Sequence, residues 1–379
     1  AQVGWLVEQI NAHPKGVIVC GPRCPEGDFA AAVFALAEKA GYPIFADPLS
    51  GLRYRPDHGG AQVISGYETW LAGGAKPSWE APDVVIRFGA MPTSKWLNQW
   101  LGDILPKVRL HVRENGVWAD DSHLTTDFWA VRELVLCQQV AAQLDFRENG
   151  YGEQIYTNWE KKGWDVVAAE MAEANFDVRY LMGLLELLGR LPTDSQLLIG
   201  NSLPVRHLDQ FGRAFTAELG WRMIRPFGNR GASGIDGVVS TACGIASADR
   251  SKPTVLVIGD ISFFHDMNGL LLARHFPNLT IVLFNNSGGH IFQRLPISQF
   301  DPSFTKLFLT PHEFDFSHAA AFHNLQFSRV EEWSAFQQAF RTAAADQQTH
   351  LIEIVTDGEQ DERMRKELVA KVRKALEEL

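Results

Sequence analysis

The sequence predicts an α/β protein with two doubly wound parallel-sheet domains in one chain. Three observations carry that prediction. Short aliphatic runs alternate with helical patterns in both halves, the pattern of parallel strands joined by crossover helices. At 379 residues the chain exceeds one ordinary core and has material for two. Two of the aliphatic runs, Val255 to Ile258 and Thr280 to Phe284, end in Gly259-Asp260 and Asn285-Asn286, with an amphipathic segment between them. That is a βαβ unit in outline.

The first domain is expected over residues 1–145. Val17 to Cys20 reads as a strand ending at Gly21-Pro22, Glu26 to Ala40 as a helix, and Pro43 to Ala46 as a second strand. Val84 to Phe88 is a third, followed by Gly89-Ala90-Met91-Pro92 and a helix starting near Ser94; Val108 to Val112 closes the series. No G-x-G-x-x-G follows any of these strands, so the domain reads as one without a dinucleotide site. Residues 146–178 are expected as a helical linker, within a charged stretch from Gln138 to Asn175 broken at Gly150, Gly152 and Gly163.

The second domain is expected over 179–379. It opens with an apolar helix, Tyr180 to Leu191, and a strand, Gln196 to Ile199. A glycine-rich stretch from Asn229 leads into a small-residue helix, Val238 to Ala248, and then the βαβ unit. Leu351 to Val355 is the last strand, and Arg363 to Leu379 a charged helix with an open polar face.

Composition narrows the function classes. Hydrophobic residues make up 46% and charged residues 21%, so the chain has apolar material for packed cores. A net charge of −10 argues against a nucleic-acid partner, which demands a basic face. Cys20, Cys24, Cys137 and Cys243 lack the paired spacing of a zinc site and read as reduced thiols of a cytosolic protein. No apolar run is long enough to span a bilayer, and no signal peptide is read. The chain starts at Ala1 and enters a helical pattern at once, so a piece cut at a domain boundary is expected.

Asp260 and Asn286 fall at the carboxyl ends of strands, where ligands bind in such sheets. One carboxylate oxygen, one amide oxygen and a carbonyl from the Ser287-Gly288-Gly289 turn suit a hard cation such as Mg2+, which takes its remaining ligands from phosphate and water. The helix opening at Ser262 offers N–H groups to an anion, and the two glycines let backbone approach closely. Taken alone, these residues also fit an ordinary βαβ unit with a polar turn. Asn201 and Ser202 follow another strand, with Arg206 one helical turn beyond Ser202 and able to face the same cavity. A capping Ser and a solvated Arg would look the same. Four glycines within residues 227–237, beside Arg230, suggest backbone packed on a ligand and a side chain able to grip a carboxylate. A loop held for packing alone is the other reading.

The Gly-Asp and Asn-Asn pair resembles the diphosphate motif of thiamine-diphosphate (ThDP) enzymes, with Ile261 where the usual pattern has a further Gly. The set NSLPVR (201–206), NRGASGIDG (229–237), GDIS (259–262) and NNSGGHIF (285–292) resembles the 2-succinyl-5-enolpyruvyl-6-hydroxy-3-cyclohexene-1-carboxylate synthase family of menaquinone and phylloquinone biosynthesis. That resemblance implies a central Rossmann-like domain followed by a ThDP diphosphate-binding domain. It implies Asp260, Asn286 and the Gly288 carbonyl as ligands of Mg2+ or Mn2+. Cofactor contacts are implied for Asn201, Ser202, Gly234, Ile235, Gly259, Asp260, Ile261, Ser262, Asn286, Gly288, Gly289 and Ile291, with Ile235 under the bent cofactor. Ser202, Arg206 and Arg230 are implied to hold substrate, against an apolar wall of Ile291 and Phe292. Pro92-Thr93-Ser94-Lys95 resembles a loop whose Lys reaches substrate, although Trp96 stands where other members have a second basic residue. An exposed Lys95 at a helix start is the alternative.

The family decarboxylates 2-oxoglutarate and adds the succinyl unit to isochorismate. Both substrates are polyanionic, which gives a physical reason for Arg206, Arg230 and Lys95 in an acidic chain. In the family a Glu on the N-terminal pyrimidine-binding domain of a partner subunit activates the cofactor. The resemblance therefore implies a cytoplasmic homo-oligomer, a missing N-terminal domain, no catalytic residue in this chain and no turnover by it alone. Glu218 is the nearest acidic residue and reads as solvated; Asp266, His265 and His290 read as capping, packing or hydrogen-bonding groups. Two other readings stand beside this one. One is a different ThDP lyase of the acetolactate synthase or benzoylformate decarboxylase type; the other is a non-catalytic ThDP-fold binding or assembly module.

Overall fold

The computed structural model describes residues 1–74, 81–148, 150–346 and 348–379. They divide into two compact units, one of residues 1–170, 209–221 and 368–379, the other of 171–208 and 222–367. Each unit holds a six-stranded sheet with every pairing parallel.

In the first unit the strands are β1 (Gly16–Cys20), β2 (Ile44–Ala46), β3 (Val63–Ile64), β4 (Val84–Phe88), β5 (Val108–Val112) and β6 (Asp127–Trp129), in the order β3-β2-β1-β4-β5-β6. The central strands are apolar throughout because helices cover both faces of such a sheet. The helix Phe29–Ala40 starts three residues after the expected Glu26 and ends at Gly41, whose φ of 67° supplies the left-handed cap. Lys95–Asp103 is capped by Ser94, whose Oγ accepts the Leu97 N–H at 2.8 Å. Arg53 is fully buried and binds residues 209–212 to this unit. Its Nη1 donates to the Asp209 carbonyl at 2.7 Å and its Nη2 lies 3.2 Å from Asp209 Oδ1.

The expected linker, 146–178, whose residue 149 lies outside the described residues, contains the helix Tyr151–Glu173 and the start of the next, Asp177–Gly189. Gly152 and Gly163 lie inside this helix and do not break it. A Cβ on Gly163 would stand 2.9 Å from Trp70 Nε1, so the glycine serves close approach of the indole.

In the second unit the strands are β7 (Ser195–Ile199), β8 (Ile224–Phe227), β9 (Thr254–Gly259), β10 (Leu279–Asn285), β11 (Gln326–Val330) and β12 (His350–Val355), in the order β11-β12-β10-β9-β7-β8. Register aligns the tips: Ile199 opposes Val257, Gly259 opposes Phe284 and Asn285 opposes Val355. Strand order reverses beside β7, with β8 on one side and β9 on the other, which makes the crevice where doubly wound sheets take ligands. Beneath it the core joins Leu198, Leu256, Ile258, Phe263, Ile281, Leu283 and Leu351 to the helix Val238–Ala248. The helix after β9 opens at Asp260 itself, not at Ser262, and spans Asp260–Asp266. The last helix opens at Gly358, ahead of the expected Arg363, because Asp357 Oδ1 accepts the Glu359 and Gln360 N–H groups at 2.9 and 3.1 Å. Among the described residues no helix is long and apolar enough to cross a membrane.

Candidate active site

A cavity of about 390 Å³ opens at the carboxyl ends of β7, β9, β10 and β12. Each strand tip contributes a polar residue to its lining: Asn201, Asp260, Asn286 and Thr356. The structure thus brings together Asn201, Ser202, Arg206, Arg230, Ile235, Gly259, Asp260, Ile261, Ser262, Asn286, Gly288, Gly289, Ile291 and Phe292 around one space. Gly234 is not in the lining, but its carbonyl accepts from Asn201 Nδ2 at 2.7 Å. Lys95 belongs to the first unit, where it is exposed with Nζ 5.4 Å from the Trp96 ring centroid, and it does not line the cavity.

Asn201 is the knot of the β7 side. Its Nδ2 donates to the Asn229 and Gly234 carbonyls, and its Oδ1 accepts from Arg230 Nη1 at 2.8 Å. The glycine-rich loop is therefore shaped by a buried amide. Ser202 has φ of 73°, a left-handed conformation disfavoured for a residue with a Cβ, and its carbonyl accepts from Arg206 Nη1 at 2.7 Å.

Asp260 is buried, with Oδ1 accepting the Ile261 N–H at 2.6 Å and Oδ2 the Gly288 N–H at 2.9 Å. The second bond ties the carboxylate directly to the loop that carries Asn286. Gly288 and Gly289 do more there than admit a ligand. At φ of 146°, Gly288 would place a Cβ 2.5 Å from the Leu309 carbonyl oxygen, and Gly289 would place one 2.5 Å from that of Phe308. The Gly289 N–H donates to the Leu309 carbonyl at 2.7 Å, so Phe308 and Leu309 lie tightly against the loop.

The remaining sequence candidates have structural partners. Asp266 Oδ2 accepts the Ser240 N–H at 3.0 Å, and His265 Nδ1 lies 3.3 Å from Asp236 Oδ1 at the surface. Glu218 is exposed in a turn of the first unit. His290 is buried against Gly358, where an added Cβ would meet its ring at 2.3 Å, and it lines the cavity.

Sequence reasoning missed the far wall, formed by Asp177, Leu181, His207 and Thr356. Behind it Arg365 donates to Asp177 Oδ2 at 2.6 Å and to Glu362 Oε2 at 2.8 Å, while Arg294 Nε sits 3.2 Å from the same Glu362 oxygen. Burial raises the Asp177 carboxyl despite Arg365, and burial with Arg365 and Arg294 nearby holds His207 well below its ordinary value. Burial and the neighbouring Asp177 push Asp361 up to about 7. No spacing rule links residues 177, 207 and 356, which only the sheet brings together.

The donors at one end of the cavity are a carboxylate, an amide and the Gly288 carbonyl, which already accepts the His290 N–H at 3.0 Å and keeps a second lone pair. All three are hard oxygen donors, and the buried Ser262 Oγ has no hydrogen-bond partner among the described residues. That donor chemistry fits a divalent cation together with a phosphate-bearing group.

Two family descriptions match the chain: "Middle domain of thiamine pyrophosphate" over residues 8–182, and "Thiamine pyrophosphate enzyme, C-terminal TPP binding domain" over 218–354. Fold and site together define a thiamine pyrophosphate enzyme, of which these are the middle and cofactor-binding parts. Within that class the chain is similar to the 2-succinyl-5-enolpyruvyl-6-hydroxy-3-cyclohexene-1-carboxylate synthases. It is 45% identical to such a synthase from Roseiflexus sp. (strain RS-1), over 95% of this chain and 59% of that protein. It is 39% identical to another from Halobacterium salinarum, over 97% of this chain and 61% of that protein. The chain thus spans about three-fifths of the length of these relatives. Its fold is also that of the benzoylformate decarboxylase of Polynucleobacter necessarius, at 16% identity and a TM-score of 0.65, over 94% of this chain and 64% of that one.

Proposed function

We propose that this chain is the diphosphate- and metal-binding part of an enzyme that decarboxylates 2-oxoglutarate and adds the succinyl unit to isochorismate. The observation that carries the reading is the convergence of Asp260, Asn286 and Gly288 with Arg206, Arg230 and Ile235 on one cavity. Asp260, Asn286 and the Gly288 carbonyl hold Mg2+ or Mn2+, which in turn holds the diphosphate. Bound thiamine diphosphate supplies the electron sink that decarboxylation of a 2-oxo acid requires. Ile235 supports the cofactor from one side, while Arg206 and Arg230 neutralise substrate carboxylates. Ile291 and Phe292 keep water from the reacting carbon. The activating Glu comes from a pyrimidine-binding domain outside these residues, through an oligomer of the assembled enzyme.

Calorimetry with thiamine diphosphate, with and without Mg2+, tests the cofactor half of this reading: metal-dependent heat is expected, and its absence rejects it. Adding the pyrimidine-binding domain and offering 2-oxoglutarate with isochorismate tests the reaction. Product is expected only from the mixture. Turnover by the chain alone, or none from the mixture, overturns the corresponding part.

A further inference from the structure

We infer that His312 is a positioning residue for the Asp260 carboxylate, fixing which of its oxygens is left to take the metal ion. The inference rests on the metal reading above and goes beyond it, because His312 lies 52 residues from Asp260 in sequence and belongs to no motif read there.

The geometry is specific. His312 Nε2 stands 3.2 Å from Asp260 Oδ2, with both side chains buried, at 6% and 4% exposure. The nitrogen lies off the line of a well-formed hydrogen bond and has no other partner among the described residues, so its contact with the carboxylate is one of charge against dipole. The ring is fixed from two sides. It stacks on Phe314 at 4.5 Å and 14°, Phe314 stacks on Phe264 at 4.4 Å and 16°, and Phe316 meets the His312 ring edge-on. Its backbone carbonyl accepts from Ser287 Oγ, which fastens it to the loop bearing Asn286 and Gly288.

The proton's position follows from the other ring nitrogen. The Phe314 N–H donates to His312 Nδ1 at 3.2 Å, so Nδ1 carries a lone pair and the neutral ring bears its hydrogen on Nε2. A histidine that bound the ion through Nε2 would need its hydrogen on Nδ1, opposite the Phe314 N–H. His312 therefore turns the positive edge of its ring to the carboxylate and is not itself a ligand.

Acceptor capacity then decides the outcome. A carboxylate has about four lone-pair directions, two on each oxygen. Oδ2 accepts the Gly288 N–H and also has His312 Nε2 3.2 Å away, whereas among the described residues Oδ1 meets the Ile261 N–H alone. The free direction is on Oδ1, and His312 keeps it there. Groups that hold a metal-binding side chain in this way typically change affinity by about 10- to 100-fold when removed.

Two variants of the full chain separate the donor from the packing. His312→Phe keeps a ring on Phe314 but has no N–H; His312→Gln keeps an amide N–H without the stack. Free Mn2+ is measured by electron paramagnetic resonance during titration with thiamine diphosphate present, and melting is recorded without metal. We expect the Mn2+ Kd to rise about tenfold or more in His312→Phe, with metal-free melting unchanged, and to stay within about threefold in His312→Gln. Parental affinity in His312→Phe overturns the inference, as does equal loss of affinity in both variants. Failure of the parent chain to bind Mn2+ overturns the metal reading and this role with it, an outcome distinct from the first two.

Discussion

Arg230 and Asn201 meet at the cavity, with Nη1 of the arginine donating to Oδ1 of the asparagine at 2.8 Å. The same asparagine holds the carbonyls of Asn229 and Gly234, so one buried amide sets the shape of the glycine-rich loop and the aim of its only arginine. Asn201→Ala is expected to leave these partners unpaired, at a cost of about 1–3 kcal/mol in urea unfolding. Hydrogen exchange should quicken over residues 229–235. Unchanged exchange there would mean the loop is held by other contacts.

Replacing Asp260 by Asn removes the one negative charge among the proposed ion ligands, while leaving an oxygen of similar position. The Mg2+-dependent part of thiamine diphosphate binding is expected to weaken at least about tenfold by calorimetry. Binding that persists at parental strength would show that the ion, if bound, is held elsewhere.

Gly288→Ala tests why the loop carries glycine. A Cβ there would stand 2.5 Å from the Leu309 carbonyl at a φ that side chains rarely adopt. A loss of about 1–3 kcal/mol is expected from strain alone. The loss should appear in metal-free unfolding, which separates it from any effect on ion binding.

Burial together with Asp177 pushes the Asp361 carboxyl up to about 7. A carboxyl raised above its unfolded value binds more protons in the folded state between the two values, so stability falls as pH climbs through that window. Melting temperature is therefore expected to fall between about pH 4 and about pH 7. Asp361→Asn, which stays neutral throughout, should flatten the slope in part, because Asp177 is raised in the same direction. An unchanged slope would exonerate Asp361.

The central strands of both sheets were legible because helices cover both faces and leave unbroken aliphatic runs such as Val84 to Phe88 and Thr280 to Phe284. Edge strands were not. β11 reads QFSRV with only its last residue buried, and β3 has two residues, too short for any period. The helix Trp333–Ala345 also went unread; it was not among the segments expected from the pattern. At the cavity, residues that directly follow a strand declared themselves by type and place. His312 did not, because its partner lies on a strand tip distant in sequence and its own neighbours are a π-type turn, Thr305–Leu309, with no periodic signature. The glycines at 288 and 289 were read for closeness to a ligand, and the crowding they relieve is chain against chain.

Four strand tips of one sheet each send a polar residue into the cavity, while Arg206, Ile291 and Phe292 lie on the connections beyond them. The residues proposed for anchorage and those proposed for selectivity thereby sit on different parts of the chain. The hydrophobic interior freezes the first, and exchanges on the surface connections can refashion the second without loosening it. An architecture divided this way lets new ligands be tried on an unchanged foundation.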